Sequence, residues 1–68
     1  MGEDYAIIHS KENFRFKYVY NSKTQGQELF ELNSDLYETK NIIDSMDVKY
    51  VNNLKNQLTS QFRLNSFK

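Results

Sequence analysis

The chain has 68 residues, nine basic and nine acidic side chains, a formal net charge of zero and no cysteine. A chain of this length buries only about 60% of the surface its unfolded form exposes, which excludes a catalytic cleft between two thick layers. Balanced charge argues against a protein held to nucleic acid or an anionic membrane by long-range attraction. The lack of cysteine excludes disulfides and thiolate metal sites while fitting any compartment.

Apolar runs such as Tyr5-Ala6-Ile7-Ile8 are too short for a bilayer span or a signal-peptide core. Met1-Gly2 starts like a myristoylation signal, but Ala6 stands where Ser or Thr is needed. The chain is therefore expected to be cytosolic or cut from a longer precursor. It shows no internal repeat and no proline, and is read as one domain over residues 1–68.

Asp4 to Ser10 reads as a strand, with Tyr5, Ile7 and His9 on one face and Ala6, Ile8 and Ser10 on the other. The polar run Ser10-Lys11-Glu12-Asn13 suits a hairpin loop. From Phe14 to Tyr20 the alternation is strict: Phe14, Phe16, Tyr18 and Tyr20 interleave with Arg15, Lys17 and Val19, the pattern of a half-buried strand. Asn21 to Gly26 is a loop in which Gly26 is expected to supply a positive φ. Gln27 to Leu32 reads as a third strand, with Phe30 and Leu32 on one face and Leu29 on the other.

In the segment that follows, Ser34 or Asp35 can cap a short helical turn. Glu38, three residues after Asp35, can reach back to the cap's N–H. Ile42 and Ile43 return to the core. Asp47 to about Arg63 reads as an amphipathic helix whose apolar stripe is Val48, Val51, Leu54, Leu58 and Phe62, with Asn52, Asn53, Lys55, Asn56 and Thr59 on the polar face. Asp44, Ser45 or Asp47 is its N-cap, and residues 64–68 are expected to fray.

Short connections make the strands an antiparallel meander, with room for a further short strand. A meander cannot bury its own aromatic face, so the C-terminal helix must cover it. The fold class is α+β: a small antiparallel sheet under one helix. Leu54 and Leu58 are expected against Phe16, Tyr18 and Phe30. Ile8, Val19 and Leu29, on the other face, are expected to stay exposed and to promote weak self-association.

The chemistry-bearing residues are sparse. His9 is the only histidine, and a lone histidine without a nucleophile or second ligand reads as a strand-end residue. Asp35, Glu38, Asp44 and Asp47 lack the spacing and central glycine of a calcium loop and read as caps. Arg15-Phe16-Lys17-Tyr18-Val19-Tyr20 alternates basic and aromatic residues as base-stacking sheets do, but without the glycines of the RNA-recognition signature. This leaves open a free-standing module that binds single-stranded nucleic acid, or a protein partner, through the strand Phe14 to Tyr20. That reading requires the aromatic face to be uncovered.

The order of elements carries a further text. Lys17-Tyr18-Val19, then Glu28-Leu29-Phe30-Glu31-Leu32, then Asp35, Glu38 and Asn41-Ile42, then a closing helix, resembles the C-terminal subdomain of arylsulfatase-type sulfatases, members of the alkaline-phosphatase-like superfamily. The resemblance covers nearly the whole chain. It departs at Leu36, where the family has Pro, at Glu31, where it has Asp, and at Phe30, where it has Tyr.

What the resemblance implies is structural. Lys17, Tyr18, Glu28, Leu29, Phe30, Leu32, Asp35, Glu38, Asn41 and Ile42 would be family-motif residues without catalytic, cofactor-binding or metal-binding roles. The family's nucleophile lies in a Cys/Ser-x-Pro-x-Arg motif, and this chain has neither Cys nor Pro. The divalent metal of a parent sulfatase would be bound outside this chain. The implied partner is the catalytic α/β domain of that parent, with no nucleic acid and no membrane, and the chain by itself is expected not to be an enzyme.

Overall fold

The computed structural model describes residues 3–63; Met1, Gly2 and the expected fraying of residues 64–68 lie outside the described residues. Three strands, β1 (Asp4–Lys11), β2 (Phe14–Asn21) and β3 (Gln27–Glu31), form an antiparallel sheet in the order β1-β2-β3. A 3-10 turn (Ile43–Ser45) and the helix α1 (Val48–Gln61) follow. This is the α+β meander under one helix that the alternation and the stripe imply.

The connections set the register. Lys11 pairs with Phe14, so Glu12 and Asn13 alone link β1 to β2, and Glu12 takes a left-handed φ of 57°. Such a two-residue hairpin link needs positive φ to match the twist of the strands. The β2–β3 loop is closed by Asn21 N–H donating to the Gly26 carbonyl at 2.9 Å. Inside it, Asn21 Oδ1 accepts from the N–H groups of Lys23 (2.9 Å) and Thr24 (2.8 Å), an Asx-type turn. Gln25, with φ 63°, holds the left-handed position expected of Gly26, because the side-chain bonds of Asn21 complete the turn one residue earlier.

That closure places Tyr18 opposite Leu29 and Lys17 opposite Phe30. Direct cross-strand partners share a face, so Leu29 joins the aromatic face and Phe30 leaves it. The expectation that Phe30 packs under the helix and Leu29 lies exposed is thus reversed. On the helix side, Tyr5, Ile7 and His9 stand opposite Tyr20, Tyr18 and Phe16. Phe16, Tyr18, Tyr20 and Leu29 pack with Val51, Leu54 and Leu58, and Tyr18, Leu29, Leu54 and Leu58 are 0% exposed. Each fully buried side chain of this size contributes about 1.5–3 kcal/mol.

The helix begins where Asp47 caps it, its carboxylate accepting from Lys49 N–H at 3.0 Å. It ends at Phe62, whose N–H donates to the Leu58 carbonyl at 3.0 Å, followed by Arg63 with a left-handed φ of 57°. The buried stripe is narrower than expected at its ends. Val48 in the first turn is exposed, and Phe62 is half-exposed with its ring 4.9 Å from Tyr5. Thr59, assigned to the polar face, is buried, and its hydroxyl donates to the Asn56 carbonyl at 3.2 Å. Tyr50, at the margin of the stripe, adds an aromatic contact, edge-on to Phe16 at 5.8 Å.

Candidate functional site

Eight of the ten motif residues lie on β3 or the segment that follows it, and Lys17 and Tyr18 lie on β2. An edge strand leaves alternate N–H and C=O groups unpaired unless something covers them. At Leu29 both are met. Asn41 Oδ1 accepts from Leu29 N–H at 2.9 Å, and Ile42 N–H donates to the Leu29 carbonyl at 2.8 Å. Asn41 Oδ1 also accepts from Ile43 N–H at 3.1 Å, which starts the 3-10 turn. One amide oxygen thus joins the sheet edge to the return toward the core.

Between β3 and Asn41 the chain is held by two carboxylates. Glu31 accepts from the N–H groups of Asn33 and Ser34, both at 3.0 Å, and from the Ser34 hydroxyl. Asp35 accepts from Thr39 N–H (2.9 Å), the Thr39 hydroxyl (3.0 Å) and Lys40 N–H (2.9 Å). Donors aimed at the ionised form favour it. The Ser34 hydroxyl first, with the N–H groups of Asn33 and Ser34, holds the Glu31 carboxyl below its ordinary value. The N–H groups of Thr39 and Lys40 do the same for Asp35. Asp35 therefore organises a turn, as expected, but it bonds four and five residues ahead instead of capping a helical turn.

Glu38 does not reach back to the cap. It takes a left-handed φ of 56°, and its carboxylate meets Lys17 of β2, with Nζ 3.0 Å from Oε1 and 3.1 Å from Oε2. Lys17 is thus paired within the domain. The ion pair draws the segment across the sheet face opposite α1, where Phe30 is only 7% exposed. Leu32 N–H donates to the Arg15 carbonyl at 2.8 Å, extending the β3 pairing by one residue. Tyr18 lies in the core and donates to Gln27 Oε1 at 2.6 Å. Burial, with Tyr20 nearby, pushes its phenol up to about 12 and keeps it a donor. Glu28 is exposed at the same edge.

The other candidates resolve into structural contacts. His9 Nδ1 lies 2.9 Å from the Tyr50 hydroxyl, a bond between sheet and helix across 41 positions. Lys11 Nζ sits 4.6 Å from the Tyr50 ring centroid. Asp47 caps α1, and Asp44 lies in the 3-10 turn. Among the described residues, no group of three or more His, Asp or Glu side chains is arranged to hold a metal ion. An open hollow of about 320 Å³ beside the β2–β3 loop is lined mainly by polar residues, among them Asp4, Thr24, Glu28 and Asn41.

Sequence reasoning missed three contributors. Glu31 enters the sequence reading only as a motif variant, although a carboxylate two and three residues before the N–H groups of a turn is a ready acceptor. Tyr50, four residues before Leu54 and eight before Leu58, carries a helical spacing that could have placed it at the margin of the stripe. The role of Asn33, whose side-chain amide donates to the Asn13 carbonyl and ties the first hairpin to this turn, has no local signature. Comparison with family models, with curated proteins and with solved structures finds no match for this chain.

Proposed function

We propose that this chain is a non-catalytic C-terminal structural subdomain of a sulfatase-like hydrolase, packing in the intact protein on a catalytic α/β domain. One observation carries the reading. Residues that the resemblance selects from separate parts of the sequence make direct contacts, Lys17 with Glu38 and Leu29 with Asn41 and Ile42, and Asp35 holds the turn between them. Simple alternation gives Lys17 no reason to pair with a residue 21 positions away.

The exposed sheet face adds support. Ile8 is 54% exposed there, and Val19 is half-buried, so this face has apolar surface for a neighbouring domain to cover. In the parent the nucleophile and the divalent metal would belong to that domain, and this chain would shape and stabilise one wall. Burial of Phe16, Tyr18 and Tyr20 beneath α1 favours this reading over a free-standing module that stacks bases on β2. The test is the DNA upstream of Met1. A long in-frame α/β hydrolase sequence with a Cys/Ser-x-Pro-x-Arg motif is expected. A closed short frame, with no such sequence in the same transcription unit, contradicts the proposal.

A further inference from the structure

The bonds of the sheet fix which backbone groups of β1 face outward. Asn21 N–H bonds to Gly26 and the Arg15 carbonyl bonds to Leu32, so the odd-numbered residues of β2 turn their polar groups toward β3. The even-numbered residues of β2 therefore bond to β1, through their partners Tyr5, Ile7, His9 and Lys11. The Ser22 N–H bond to the Glu3 carbonyl has the same parity. Asp4, Ala6, Ile8 and Ser10 then project their N–H and C=O groups from the free edge, and all four residues are exposed.

The two edges of the sheet are treated differently. The β3 edge is met by Asn41 and Ile42. The β1 edge runs eight residues in unbroken register, without a bulge, and the chain contains no proline. Lysine, proline and bulges are the usual means of blunting an edge, and the centre of β1 has none of them.

We propose that the β1 edge pairs antiparallel with β1 of a second copy of this chain, about a two-fold axis at Ile7, giving a continuous six-stranded sheet. The occupant follows from self-complementarity. With Ile7 on the axis, Ala6 of each copy faces Ile8 of the other and Asp4 faces Ser10, which matches outward-bonding residues with one another. Lys11 of each copy then lies opposite Glu3 of the other, and no like charges face across the seam. Shifting the register by two residues in one direction sets Asp4 against Glu12, two acids; shifting it in the other sets Asp4 against Ile8. Both shifts are disfavoured by cross-strand pairing. Ala6 and Ile8 of both copies meet on the face opposite α1, which covers the exposed Ile8 side chain. This inference concerns the 68-residue chain by itself, in which Ile8 is available to a second copy and not to a parent domain.

The test is amide exchange and sedimentation on the 68-residue chain from micromolar to millimolar concentration. Dimer formation is expected, together with concentration-dependent protection of the Ala6 and Ile8 amides. The Ile7 amide, bonded within the monomer, is protected throughout. Ile8→Lys places a charge at an exposed position of the seam. It should leave the circular dichroism unchanged and weaken dimerisation about tenfold or more, equivalent to at least about 1.4 kcal/mol. A strict monomer at millimolar concentration overturns the proposal. So does a dimer whose Ala6 and Ile8 amides stay unprotected, or one that Ile8→Lys leaves as tight as before.

Discussion

The two faces of the sheet carry different kinds of organisation. On the α1 side, Tyr18, Leu29, Leu54 and Leu58 are 0% exposed and held by close packing. On the opposite side, among the described residues, Phe30 alone of the large apolar residues is buried, beside a turn held by carboxylates, an ion pair and one asparagine. The difference shows how a one-layer core divides its work. Apolar burial supplies the stability, while polar bonds route the chain around β3 and leave the rest of that face open.

Mutations can break this contrast, beginning with the core. Leu54→Ala removes a fully buried side chain from the middle of the α1 stripe and should cost about 2–5 kcal/mol. In a domain with a single small core, that loss is most or all of the stability, and thermal melting should show a largely unfolded variant. Next comes the β3 edge. Asn41→Ala leaves the Leu29 and Ile43 N–H groups without their acceptor and should cost about 1–3 kcal/mol by chemical denaturation. An unchanged midpoint would show that the edge does not depend on that amide.

Acid provides a graded probe of the turn. The Glu31 and Asp35 carboxyls are held below their ordinary values when folded, so the stability they contribute is fully present above their unfolded values, near pH 4. It is lost as the pH falls through the lower folded values. Stability should therefore be level near neutrality and decline below about pH 4, and replacing Asp35 with Asn should flatten that decline. The smallest effect belongs to the open face. Ile8→Ser on dilute protein should change stability by no more than about 0.5 kcal/mol, because the side chain is already more than half exposed.

The elements were legible in the sequence because each carried a repeated signal. The aromatic alternation of β2, the spacing of Val51, Leu54 and Leu58, and the cap at Asp47 all translate directly into the fold. The facing of β3 was not legible. Its apolar residues Leu29, Phe30 and Leu32 fall on both faces, Leu32 lies beyond the strand, and the register is decided by where the β2–β3 loop closes. The Asp35 turn was legible as a turn. The pairing of Glu38 with Lys17 was not, because it depends on how the segment crosses the sheet.

Phe16→Ala, studied together with an oligonucleotide titration of the unaltered chain, decides between a packed core and an open platform. If the aromatic face is core, truncating Phe16 should cost about 3–5 kcal/mol and abolish the folded circular-dichroism spectrum. The unaltered chain should then show no salt-sensitive binding to single-stranded nucleic acid. A well-folded Phe16→Ala variant with oligonucleotide affinity lowered by about 1–3 kcal/mol would show that the aromatics serve as a stacking platform, and would contradict the structural reading.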